Sequence, residues 1–184
     1  MGNIFITSDT HFGHDKPFIW RERGFNSVEE MNEAIVQRWN EIVTPEDEVY
    51  HLGDVMLGDT KQGINYLRRL NGKIWILTGN HDTTNRIQEY VNIEPRILHI
   101  GLAAILKYHK YTFYLSHYPT LTANYDGDEP LNRRVINLCG HNHTTDPFYD
   151  WDLGLIFHTE MDTHDCRPWL LDDIIDKIKY KLDK

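Results

Sequence analysis

Five short clusters of metal-ligating residue types recur along the chain, each where an apolar, strand-like run ends. They are Asp9-Thr10-His11, Gly53-Asp54, Gly79-Asn80-His81-Asp82, Ser116-His117-Tyr118 and Gly140-His141-Asn142-His143. Together they supply carboxylates, an amide oxygen and imidazoles, the donor mixture that a pair of divalent cations takes. Taken singly, most of them are weak signals. Asp9 also suits a turn cap, and Gly-Asp is a common turn pair. Gly140-His141-Asn142-His143 is stronger, because two imidazoles one residue apart after a buried strand have few structural uses. A turn-and-cap explanation would have to be invoked five times over, each time falling on a ligand type.

The elements that must position these residues are readable from the apolar pattern. Residues 3–8 alternate into a short buried strand, followed by a loop of roughly twenty residues, a length that is often functional. Ser27 with Glu30 forms a capping-box signature, and Met31, Ile35, Trp39 and Ile42 recur at helical spacing, a stripe best read as core. Val49–Leu52 and Ile74–Thr78 read as strands. Between them, Thr60 is expected to cap a helix with Ile64, Leu67 and Leu70 inside, closed at Asn71-Gly72. Ala103–Tyr108 and Tyr111–Ser116 flank His109-Lys110 as a hairpin, and Val135–Cys139 and Leu153–Phe157 read as two further strands. Leu171, Ile174, Ile175, Ile178 and Leu182 mark a final amphipathic helix. Strand and helix alternate in the first half and strands dominate the second. The expected fold class is therefore α/β (α+β), with a mixed sheet or two packed sheets and helices outside, as a single domain over residues 1–184. In such sheets ligands gather beyond the carboxyl ends of strands, where the clusters lie.

Composition sets the outer limits. The chain has 184 residues, is 40% apolar and carries a formal charge of −9. No apolar run approaches the roughly 20 residues of a membrane span, so no membrane partner is expected. Met1-Gly2-Asn3-Ile4-Phe5-Ile6 runs directly into a strand without a basic region or cleavage site, which suggests a cytoplasmic protein. Ile6 stands where a myristoylation signal wants a hydroxyl. The acidic balance disfavours long nucleic acid, although bound cations would neutralise carboxylates locally. Cys139 and Cys166 are too few for a disulfide framework and read as reduced, structural residues.

As an ordered set, Asp-x-His, Gly-Asp, Gly-Asn-His-Asp, a lone His and Gly-His-x-His resemble the signature of the calcineurin-like metallophosphoesterase superfamily. The resemblance runs from residue 9 to residue 143. It implies a four-layer sandwich of two mixed β-sheets flanked by helices, with a two-metal site at the sheet edge. Carried over by position, it puts Asp9, His11 and His143 on one metal and Asn80, His117 and His141 on the other, with Asp54 bridging. This donor set suits manganese, iron or zinc better than Mg²⁺, with Mn²⁺ the ion expected to support activity in vitro. The resemblance makes His81 a residue that faces substrate and acts as general acid, and Asp82 the acidic neighbour that orients it. A helix N-cap is the other reading of Asp82.

Two-metal chemistry implies in-line attack by a metal-bridging hydroxide on phosphorus, with no covalent intermediate. A dinuclear phosphoric ester hydrolase is thus expected. A small phosphoester, nucleotide-like and more readily a diester than a monoester, is the favoured substrate. A phosphomonoesterase, protein phosphatase or nuclease of the same superfamily is the alternative, and a non-catalytic scaffold the weakest one. His14 is placed near the substrate mouth or in solvent. Phe12, Phe18, Trp20, Tyr118 and Tyr125 are candidates for stacking on a base or aryl group. Arg21, Arg23, Arg133 and Arg134 are candidates for a further phosphate or are merely solvated. His51, His99, His109, His158 and His164 match no motif, and residues 158–168 carry no assigned role.

Overall fold

The computed structural model describes residues 2–123 and 129–184, so Tyr125 lies outside the described residues. Four parallel strands, β1 (Ile4–Thr7), β2 (Glu48–His51), β3 (Lys73–Leu77) and β4 (Ile97–Gly101), form the first sheet with antiparallel β9 (Trp169–Leu170), in the order β4-β3-β2-β1-β9. The second sheet, β5-β6-β7-β8, joins β5 (Ala103–Tyr108) and β6 (Tyr111–Ser116) as a hairpin. Strands β7 (Val135–Cys139) and β8 (Ile156–His158) run parallel to β6. Both sheets are mixed, and with the helices they make the α/β class expected from the sequence.

Side chains of β1 alternate between two cores, as the period of two requires. Phe5 joins one with Val49, Ile74 and Ile76 and with residues of α2 (Val28–Ile42), α3 (Thr60–Arg68) and α4 (Thr84–Val91). Ile6 joins the other, where Leu52 and Leu77 meet Phe113, Leu115, Ile136, Leu138 and Phe157 of the second sheet. The apolar face of α5 (Leu171–Leu182) completes it. The first sheet is thereby fixed from both sides, and its strand ends project a rigid rim.

Local chemistry sets the helix starts. Ser27 accepts the backbone N–H of Glu30 at 3.1 Å and opens α2; the Glu30 carboxylate reaches back to Asn26 rather than to Ser27. The cap of α3 is Asp59, which accepts from the Gln62 N–H at 2.8 Å, and Thr60 is its first helical residue. A carboxylate is the better acceptor next to a helix N-terminus. The eighth strand begins at Ile156, later than its apolar run suggests, because Trp151 and Gly154 close successive turns ahead of it. The loop after β1 is shortened by α1 (Pro17–Trp20) and tied by a bridge from Phe12 to Met56.

Candidate metal centre

Loops that follow β1, β2, β3, β6 and β7 bring the ligand candidates to one place. Five of them, Asp9, His11, Asp54, His141 and His143, have positive φ between 50° and 80°. That backbone region is costly for non-glycine residues and survives only where surroundings enforce it. Two glycines show why the approach is so close. A Cβ on Gly79 would strike the Asp54 carboxylate and backbone, and one on Gly140 would strike Asp9 and Ser8.

The His11 Nε2 atom lies 3.5 Å from Asp9 Oδ1, 3.6 Å from Asp54 Oδ2 and 3.1 Å from His143 Nε2. His117 Nε2 lies 3.6 Å from Asp54 Oδ2 and 2.8 Å from Asn80 Oδ1, which is also 3.0 Å from His141 Nδ1. Two groups of side chains could each hold a metal ion: Asp9, His11 and His143, and Asp9, Asp54 and His117. Asp9 therefore reaches both groups, beyond the single one expected of it.

The donor set fits cations on three counts. Asp9 Oδ1 is buried and accepts no hydrogen bond, a costly state for a carboxylate oxygen. His117 Nδ1 faces the Leu52 carbonyl at 3.0 Å and must donate to it, so a neutral ring turns its Nε2 lone pair on Asn80 Oδ1. His143 likewise directs Nδ1 to Asp162 at 3.3 Å and Nε2 to His11 Nε2 at 3.1 Å. Lone pairs aimed at one another are what a shared cation relieves, and a carboxylate behind the imidazole is the usual support of a metal ligand.

Electrostatics follow from burial and these neighbours. Burial would raise the Asp9 carboxyl, but His11, His143 and His117 hold it well below the carboxylate range. Burial pushes His11 down to about 4 against the pull of Asp9. It raises Asp54, with the His81 backbone N–H opposing. For His143 burial is outweighed by Asp162 and Asp9, and the ring is raised. Asp9 and His11 are thus held in ligand form, carboxylate ionised and imidazole neutral, whereas the shifts of Asp54 and His143 run toward the proton-bearing form that a cation would displace.

His81 sits at the mouth, 39% exposed, with Nε2 3.9 Å from Asp54 Oδ2. His14 lies beside it, ring centres 6.3 Å apart, and its Nδ1 is buried without a partner. Both line a cavity of about 400 Å³ together with His11, Phe18 and His143. Tyr118 is 51% exposed and meets the His117 and His141 rings edge-on at 5.1 and 4.7 Å.

Several expected roles need correction. Among the described residues, the hydrogen bonds of Asp82 go elsewhere than to the His81 ring. Its carboxylate accepts from the N–H groups of Asp54, Val55 and Gly79 and from Tyr90 Oη, so it clamps two loops. Nor is it a helix cap, since Thr83 caps α4. Phe12 is fully buried and stacked on Tyr66 at 5.4 Å, unavailable to substrate. Trp20 is buried as well, and the exposed Arg21 guanidinium lies over its ring rather than in the cavity. Arg23 is occupied by Asp162 at 2.8 and 3.0 Å and by the Asp9 and Thr10 carbonyls. Arg133 pairs with Glu129, and Arg134 lines a separate cavity with Trp151.

Asp162, Arg23 and Glu160 form the support that the motif pattern does not announce. Glu160 accepts the Asn142 N–H at 3.1 Å and binds His158, which also holds Asp150, so residues 158–162 brace the Gly140–His143 loop. The sequence signal for the two carboxylates is their close spacing, Glu160-Met161-Asp162, directly after β8, and Arg23 carries none.

Comparison with known proteins agrees with this architecture. A model of the calcineurin-like phosphoesterase superfamily domain matches residues 3–157, and the chain belongs to that superfamily. An uncharacterised protein of Methanocaldococcus jannaschii is 34% identical over 131 residues, 69% of this chain and 66% of that relative. The gene 66 protein of Mycobacterium phage L5 is 34% identical over 85 residues, 45% of this chain and 41% of its own length. A solved structure of unknown function from Aquifex aeolicus superposes with a TM-score of 0.71 at 22% identity, covering 97% of this chain and 100% of the other. That likeness concerns the fold. Among the described residues no helix is long and apolar enough to cross a membrane.

Proposed function

We propose that the protein is a dinuclear metal-dependent phosphoric ester hydrolase that prefers a small, nucleotide-like diester. Asp9, His11 and His143 would hold one ion and Asn80, His117 and His141 the other, with Asp54 between them. The chemistry that cations supply at such donors is acidification of a water nucleophile and neutralisation of charge on the phosphoryl oxygens. Mn²⁺ is the ion we expect to serve in vitro.

The observation that carries the reading is the position of His81. Its imidazole borders the convergent donors yet remains partly exposed, close enough to Asp54 to face a phosphoryl group held there. From that position it can protonate the departing oxygen. His14, neutral at pH 7 because burial lowers it to about 4, can hydrogen-bond the substrate beside it. Tyr118 offers an aromatic edge on the opposite flank.

Preference for a diester is supported by space. The 400 Å³ cavity and a second one of about 540 Å³ share Leu57, Asn80 and His81, leaving room for a substituent on each side. A monoester would need only one. The test is hydrolysis of bis-p-nitrophenyl phosphate and p-nitrophenyl phosphate by protein supplied with Mn²⁺. Faster diester turnover, abolished by chelation, is expected. Absence of metal-stimulated hydrolysis of either ester would reject the proposal.

A further inference from the structure

The 540 Å³ groove beside His81 carries an excess of cations on a chain that is acidic as a whole. Lys61 and Arg86 line it, with Thr60 and Thr83 next to them. Among the described residues no carboxylate forms an ion pair with either cation. Lys61 is exposed. The Arg86 guanidinium is fixed by three neutral acceptors, the carbonyls of Met56, His81 and Gly58 at 3.0, 3.1 and 3.0 Å. Those bonds hold its position without neutralising its charge, and one of them ties it to the backbone of His81. Glu89 also lines the groove, so the cations outnumber the carboxylates there by two to one.

Two cations without a carboxylate partner thus share one groove of a chain whose formal charge is −9. The first cavity shows the contrast, since Glu22 and Asp162 are the charged side chains other than ligand candidates that line it. An ester whose alcohol is neutral would leave Lys61 and Arg86 without a partner. A phosphate carried on that alcohol would meet a fixed guanidinium and an exposed ammonium together, the pairing that phosphate recognition commonly uses.

We propose that this groove is a subsite for a second phosphate, so that the substrate class is a phosphoester whose alcohol part is itself phosphorylated. The inference deepens the function proposed above and rests on it for the placement of the first phosphate.

Binding, rather than turnover, tests the subsite. Mn²⁺-loaded protein is titrated calorimetrically with n-alkyl monophosphates and with α,ω-alkanediol bisphosphates of two to six carbons. At least one bisphosphate is expected to bind about tenfold more tightly than the monophosphate of equal length, the effect of one good charge-assisted contact. Lys61→Glu should bring that ratio close to one, and Lys61→Met should give an intermediate value. Lys61 makes no contact that the fold requires, and a urea midpoint confirms each variant is folded. Equal affinities at every chain length, or a preference that survives both substitutions, would overturn the subsite. Hydrolysis of bis-p-nitrophenyl phosphate is scored separately on the same preparations. Its absence would reject the hydrolase, whereas the groove is judged by the affinity ratio alone.

Discussion

Asp82 Oδ2 accepts the backbone N–H of Asp54 at 2.6 Å, so the loop after β3 sets the pose of the Asp54 loop after β2. The same side chain takes the Val55 and Gly79 N–H groups at 3.2 and 3.0 Å and the Tyr90 hydroxyl at 2.9 Å. All of these donors are buried or nearly so, and each left unpaired costs about 1–3 kcal/mol. Asp82→Ala is expected to lower unfolding free energy by roughly 3–5 kcal/mol, and Tyr90→Phe by about 1 kcal/mol. Urea denaturation of both variants measures this; near-wild-type stability of Asp82→Ala would refute the clamp.

His81→Ala should lower kcat by about 10²–10⁴ while bound metal stays constant. The loss should be smaller for p-nitrophenolate, a good leaving group, than for an alkoxide that needs the proton. Steady-state rates with both ester types, paired with metal analysis, decide the matter. An undiminished kcat would remove His81 from catalysis.

Asp162 supports His143 Nδ1 and is itself gripped by the buried Arg23. Asp162→Asn keeps the shape but weakens the acceptor, and the expected result is a 10–100-fold loss of metal affinity in a chelator competition. Arg23→Met strips the buried Asp162 carboxylate of its guanidinium and leaves it only the His143 imidazole, at a cost of roughly 3–5 kcal/mol. If metal affinity is unmoved in Asp162→Asn, the support is idle.

His51 gives the clearest pH dependence. It is fully buried, its Nε2 meets Thr10 Oγ1 at 2.9 Å, and burial lowers it to about 4. An unfolded histidine titrates near 6.5. Between those values the unfolded chain binds the extra proton, so stability falls as pH drops through the window, by on the order of 3 kcal/mol at most. His143 and His158 are raised and act in the opposite direction, which makes the comparison with His51→Gln necessary. Chelated wild-type protein should lose more stability between pH 7 and pH 4.5 than His51→Gln; parallel curves would contradict this.

The ligand candidates were legible because each stands within four residues of a strand end and has a chemically distinctive type. What escaped the sequence depends on distant partners. Asp82 looks like the neighbour of His81, yet its hydrogen bonds reach Asp54 and Val55 across the loop of another strand. Arg23 looks like a solvated loop cation, but Asp162, far along the chain, draws it inside. Phe12 sits in a stretch without periodicity, so nothing local indicates that Tyr66 will cover it. Edge strand β9 has two residues, too few for an alternating pattern to declare itself, and edge strand β4 buries only Ile97, so no alternation marks it.

The origin of the donors has a mechanical meaning. Asp9, Asp54 and Asn80 hang from one sheet, and His117, His141 and His143 from the other. Any cation gripped jointly is therefore a rivet through two plates. Stripping it away would loosen the seam between them while each plate keeps its own ladder of bonds whole.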